Sequence, residues 1–347
     1  MDNKSITGMI LSTTLSLLLT ACGGGGGDNA PTQAATPVTP TQPTTTIEDE
    51  FGKWLLDLSN NHILPSYGLV AERAQSMRDI SEVFCSQQNQ TTQGLEELKA
   101  SWRELNQSWQ AIQWIKVGPI IDDNRLFRIH YWPDTKKTVA SGVSKLLLLS
   151  EEVNEAVVAK QSVGAQGIPA IENLLFPVQI SNNLLNADDK VKRCQVLQAI
   201  SDNVRTISLD VLFEWRESGG NFAEKLTEGT GEFSSKKDAV EELVTNWLEQ
   251  IERVKDEKML VPLGNSSPGF PDIIEQPLSG ESIASIQTNV EAFNVIYTAG
   301  GGHGFDDILI EHLDQQNIAT EMSSAIGAAM LAVNVLGNDY QAQLIDD

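Results

Sequence analysis

Between Leu95 and Ile112 the apolar residues Leu95, Leu98, Trp102, Leu105, Trp109 and Ile112 recur at intervals of 3, 4, 3, 4 and 3. That spacing puts all six on one face of an α-helix and would scatter them over both faces of a strand. A stripe so regular belongs to a bundle helix, which needs other helices to cover it. The same period returns along the chain. Thr46-x-x-Asp49 reads as a capping box ahead of Phe51, Trp54, Leu55 and Leu58. A long helix from about Asp188 aligns Val191, Cys194, Leu197, Ile200, Val204, Ile207 and Val211. Ser235-x-x-Asp238 caps the run Val240, Leu243, Trp247, Ile251 and Val254, and Ser279 opens another with Ile283, Ile286, Val290, Phe293 and Tyr297. Ile318, Met322, Ile326, Ala329, Val333 and Leu336 mark the last, with Gly337-Asn338 as its cap. No sustained alternation argues for a sheet, so the chain reads as all-α with about eight or more helices.

Proline and glycine divide these runs. Pro65 should kink or break the first helix, Gly118-Pro119 ends the one from Leu95, and Gly219-Gly220 closes the long central one. Residues 259–278 hold four prolines and read as a long loop.

The start of the chain is of another kind. Lys4 and the apolar stretch Met9 to Leu19 precede Leu19-Thr20-Ala21-Cys22, a lipobox, so residues 1–21 read as a lipoprotein signal peptide with Cys22 as the lipidated residue. The apolar run is too short to span a bilayer. The expected membrane contact is therefore a lipid anchor at Cys22. Gly23 after the cysteine implies the outer membrane, facing the periplasm or the surface. Residues 22–46 are a Gly run followed by Pro, Thr, Gln and Ala, a composition without a core, with a reach on the order of 25–30 Å. The formal net charge of −23 argues against nucleic acid and anionic lipid as direct partners.

Two segments stand apart from the periodic runs. Gly167-Ile168-Pro169-Ala170-Ile171-Glu172-Asn173-Leu174-Leu175-Phe176-Pro177 begins with Gly and Pro and ends on Pro, which predicts a helix of about two turns. Ile171, Leu174 and Leu175 share its apolar face, and Glu172 is placed in the first turn, where the helix dipole favours a carboxylate. The other segment, Asp122 to Asp134, has no clean period and is dense in Arg, Tyr, Trp and Asp, as loops that carry function are. The competing reading is a packed connection whose polar groups satisfy one another.

Gly-x-x-Ala-Ile-Glu-x-Leu-Leu-Phe resembles the signature segment of the imelysin family, whose motif is G-x-H-x-x-E. Arg128-Ile129-His130-Tyr131-Trp132-Pro133-Asp134 resembles a second family segment, and Arg193-Cys194-Gln195 and Gly304 to Leu309 resemble others. Gly167 and Glu172 match the motif, while its histidine position holds Pro169, which has neither donor nor lone pair. The resemblance implies two helical-bundle domains packed together, 47–185 carrying the altered motif and 186–347 following it. It also implies a site between them near Glu172, with Arg128, Tyr131, Trp132 and Asp134 as lining candidates. The family includes iron-regulated envelope proteins and a peptidase that cleaves insulin. Iron enters as a cofactor through that resemblance alone, and the implied partner is an unknown ligand or a protein of an uptake system. Glu172 is expected to accept hydrogen bonds from Arg125, Arg128 or Tyr131.

Of three cysteines, lipidation of Cys22 leaves Cys85 and Cys194, which in an oxidising compartment pair as a disulfide. Neither H-E-x-x-H nor G-x-S-x-G occurs. Of the four histidines, His62 reads as a satisfied helix residue. His303, Asp307 and Glu311 form the best metal-like set, at i, i+4 and i+8, against a capping role for Asp306 after Gly300-Gly301-Gly302. A peptidase needs a metal or an activated nucleophile. With proline in place of the motif histidine, a non-catalytic binding component tied to iron uptake is the expected function, and a metallopeptidase the alternative.

Overall fold

Thr46 starts the first helix as its sequence predicts. Its hydroxyl accepts the Asp49 amide at 3.3 Å, and the Asp49 carboxylate accepts the Thr46 amide at 2.9 Å. The structure is a computed structural model that describes residues 45–86, 90–179, 184–337 and 340–344. The signal peptide 1–21, Cys22 and the linker as far as residue 44 lie outside the described residues, as does Asn338.

The main helices are α1 (Ile47–Leu58), α2 (Leu64–Cys85), α3 (Thr92–Ile112), α4 (Thr138–Leu148), α5 (Gly167–Leu175), α6 (Lys190–Trp215), α7 (Lys236–Glu252), α8 (Ser282–Tyr297) and α9 (Gln316–Leu336). No strand occurs among the described residues. The α3 stripe is the backbone of the core, its six residues between 0% and 5% exposed. One edge of α3 packs on α2 and α5, another on α8; α2 also packs along α6, and α1 along α7. Residues 45–347 thus form one unit in which early and late helices interleave around a continuous apolar core. The expected disulfide is present: Cys85 at the end of α2 joins Cys194 in α6, with Cα atoms 5.6 Å apart.

Several local expectations are corrected. The α-helical run is interrupted just ahead of Pro65 rather than at it. A wider π-turn, Ser59–Ile63, precedes it, and Pro65 lies in the first turn of α2, where its missing N–H costs nothing. Val191 is exposed and does not join the buried stripe of α6. Asp238 does not close a capping box on Ser235. Ser235 accepts the Asp238 amide, and the Asp238 carboxylate takes the amide and hydroxyl of Ser234 instead. α8 starts at Ser282, leaving Ser279 outside it. In α9 only Ala319 and Val333 are buried, so its stripe covers one side of α8 and leaves Ile318 and Ala329 exposed.

Candidate functional site

α5 is wedged into the bundle by its first residues. Gly167 has φ +79°, and a Cβ there would collide with the carbonyl oxygens of Arg128 and Ile129, so only glycine lets α5 begin against that segment. The preceding Gln166 is knotted to both neighbours. Its side-chain oxygen accepts Arg128 Nε at 3.1 Å and Asn203 Nδ2 at 3.0 Å, while Arg128 Nη2 reaches Asn203 Oδ1 at 3.2 Å. Trp102 Nε1 donates to the Ile168 carbonyl at 3.0 Å and pins α5 to α3. The predicted apolar face is buried, with Ile171, Leu174 and Leu175 at 0–1% exposure.

Glu172 is 4% exposed. It is the sixth residue of α5, not a first-turn residue, so the dipole argument does not apply to it. Its Oε1 accepts the Ser279 amide at 2.9 Å and the Ser279 hydroxyl at 2.7 Å. The donor is therefore Ser279, not the arginines or the tyrosine expected. Arg125 is spent on the Pro119 carbonyl and Glu214, and Arg128 on the α5–α6 knot. Burial pushes the Glu172 carboxyl up to about 7, with the Ser279 hydrogen bonds opposing.

A cavity of about 650 Å³ opens beside Glu172. One wall is His130 to Asp134, the extended chain that follows the short helix Arg125–Ile129. Tyr131, Trp132, Asp134 and Pro169 line the cavity, and Arg128 is not among the lining residues. Asp134 is also structural: its carboxylate oxygens accept the amides of Thr138 at 2.7 Å and Val139 at 2.8 Å and cap α4.

The opposite wall was read from sequence only as a loop. It is Asp272 to Leu278, joined to α5 through Ser279. Beneath it lies a fully enclosed polar cluster. Lys258 Nζ is 2.7 Å from Glu275 Oε2 and donates to Gln110 Oε1 at 2.9 Å and Asn289 Oδ1 at 2.6 Å. Lys258 and Glu275 are 1% and 2% exposed. Gln110 Nε2 donates to Glu275 Oε1 at 3.1 Å, and Gln276 is held by Asn106 and Ser285. Burial lowers Lys258 from its usual value, with Glu275 opposing. Burial alone would raise Glu275, but the Lys258 ammonium outweighs it and holds the carboxyl below its usual value. His130, 3.5 Å from Glu275, is drawn down to about 4 by burial and is neutral. The cluster fixes the loop that carries Glu275 and Gln276 to the cavity edge. Four of its members, Asn106, Gln110, Ser285 and Asn289, are polar residues on the buried sides of α3 and α8.

The remaining candidates lie elsewhere. His62 is buried in the π-turn, accepts Trp114 Nε1 at 3.1 Å and is drawn down to about 4 by burial, as a satisfied helix histidine should be. His303 Nε2 approaches Glu50 Oε2 at 2.6 Å and is 4.0 Å from Asp307 through Nδ1. Asp307, rather than Asp306, serves as the cap, accepting the Gly304 amide at 2.8 Å. Glu311 does not join them, because a π-turn, Ile308–His312, breaks the i, i+4, i+8 register. Among the described residues no group of three His, Cys, Asp or Glu is arranged to hold a metal.

This arrangement has relatives. Residues 63–347 match the family model for imelysin, a peptidase family. An imelysin-like protein from Psychrobacter arcticum 273-4 is similar in fold, with a TM-score of 0.70 at 19% identity over 85% of this chain and 87% of its own. A protein described as an iron-regulated protein A precursor, from Parabacteroides distasonis ATCC 8503, has a TM-score of 0.67 at 15% identity over 88% of this chain and 90% of its own. No curated protein matches the sequence. At these identities the solved structures speak for the fold, and the family model covers most of the sequence: the chain belongs to the imelysin family.

Proposed function

We propose that this protein is a lipid-anchored binding component of the bacterial envelope, held at the outer membrane through Cys22, that takes a ligand into the cavity beside Glu172 in support of iron uptake. The observation that carries the reading is the cavity. At about 650 Å³, with aromatic walls and a few fixed polar groups, it has the size and lining of a small-molecule site. Pro169 lines it at the position of the motif histidine, so that position offers no metal ligand and no general base. A catalytic first-row metal held by Glu172 would lack imidazole or thiolate help. Iron association rests on the family and on the description of one structural neighbour.

The test is a thermal-shift panel of metals and siderophores on the purified full chain, run beside an insulin-hydrolysis assay. Ligand-dependent stabilisation without hydrolysis is the expected result. Hydrolysis that disappears in Glu172→Ala while the fold is kept would replace this reading with the metallopeptidase.

A further inference from the structure

α9 carries two apolar stripes. One, Ala319, Met322, Ile326, Met330 and Val333, is the side by which the helix joins the core, along α8 and the π-turn Ile308–His312. The other is Ala325, Ala328, Ala332 and Val335, at intervals of 3, 4 and 3, with Leu331 beside it. This second stripe faces water: Leu331 is 70% exposed and Val335 84%. The outer faces of other helices are of another kind. α3 turns Glu96, Glu97 and Glu104 outward, and α7 turns Lys237, Glu241 and Glu249. In a chain of formal charge −23, no charged residue occurs from Met322 to Gly337. An uncharged apolar face of this extent marks a contact surface.

We propose that this face pairs with the same face of a second copy of the chain, the two α9 helices running antiparallel across a two-fold axis between positions 331 and 332. The stripe is complementary to itself in that register. Leu331 falls on Ala332 of the second copy and Val335 on its Ala328, a large side chain on a small one each time. Glu321, the one charge on α9, falls beyond the end of the opposing helix. Two chains of −23 repel each other over the rest of their surfaces, so approach is least costly here. A bilayer surface is a poorer match. Helices that lie on membranes carry Lys and Arg beside bulky apolar residues, whereas α9 has neither basic residue and its outer stripe is mostly Ala. Small residues instead suit close contact between helices. One helix face per copy is a small contact beside the roughly 1,200 Å² of a stable complex, so the dimer is weak, with a Kd of roughly 10–100 μM. The inference does not depend on what the cavity binds.

Analytical ultracentrifugation of residues 23–347, which keep the whole folded unit and lack the anchor, tests this. A monomer–dimer equilibrium is expected that tightens from low to high salt, as the like charges are screened. Leu331→Glu, at an exposed position, is expected to weaken it about tenfold or more while the thermal midpoint stays as it is. Cys22 is absent from this chain and Cys85 is bridged to Cys194, so an introduced cysteine is the one free thiol. Ala332→Cys, beside the axis, is expected to give a disulfide-linked dimer on oxidation. Ser324→Cys, about 20 Å from its copy in this register, is expected to stay monomeric. Equal cross-linking at both positions means parallel helices and overturns the pairing. A dimer that persists unchanged in Leu331→Glu lies elsewhere on the surface and overturns it as well. So does a chain that stays monomeric up to about 200 μM at both salt concentrations. Flotation of that monomer with phosphatidylethanolamine–phosphatidylglycerol vesicles, lost in Leu331→Glu, would give the face to the bilayer instead.

Discussion

Replacing Glu172 by Gln should change how stability depends on pH more than it changes stability itself. The carboxyl moves from an ordinary value of 4.5 to about 7 on folding, because burial disfavours its charge more than Ser279 supports it. A group whose value rises on folding holds its proton more tightly in the folded chain. Its contribution is complete below about pH 4.5 and is lost as pH rises through about 7. At about 1.4 kcal/mol per factor of ten, the loss is about 3 kcal/mol, most of it between about pH 5 and pH 8. His62 and His130 act in the opposite sense. Both are drawn down to about 4, so they contribute stability that is lost as pH falls below about 6.5. The raw wild-type curve is a sum of these effects, and the difference between wild type and Glu172→Gln removes the histidines. Urea denaturation at several pH values would measure that difference. The variant should gain on the wild type by about 3 kcal/mol from the acid to the alkaline end. A difference that stays flat above about pH 5 would mean that the Ser279 hydrogen bonds keep the carboxylate ionised, and the burial argument would fail.

Glu172→Ala should cost about 1–3 kcal/mol in the same assay, because the Ser279 amide and hydroxyl lose their acceptor. Lys258→Met should be more damaging, about 3–5 kcal/mol, since it strands Glu275 at 2% exposure; a Lys258→Met, Glu275→Leu pair should cost less than the single change. Reducing the Cys85–Cys194 bridge, which closes a separation of 109 residues, should lower stability by up to about 4–5 kcal/mol in the loop-entropy account, read as a lower denaturation midpoint. Intact mass of the membrane-extracted protein should show a diacylated chain beginning at Cys22, and an unmodified cysteine there would remove the anchor from the proposal.

Helical class was written in the order of residues. The period of Leu95 to Ile112, the Thr46 cap and the small number of cysteines each depend on near neighbours or on simple pairing, and all three appear in the fold as read. Glu172 and the Tyr131–Asp134 segment stood out through their resemblance to family segments. The other half of the cavity did not. Ser279 looked like a helix cap, and Glu275 looked like one more acid in a proline-rich loop. Ser279 meets Glu172 across 107 residues and Lys258 meets Asn289 across 31, pairings that no local period encodes. Which polar side chains are buried depends on where other helices come to rest, and burial is what raises Glu172, lowers His130 and holds Lys258 against Glu275. The sequence by itself determined the helices and the bridge between them; the tertiary packing alone decided the partner of Glu172, because hydrogen-bond donors are assigned by distance in space and not by spacing along the chain.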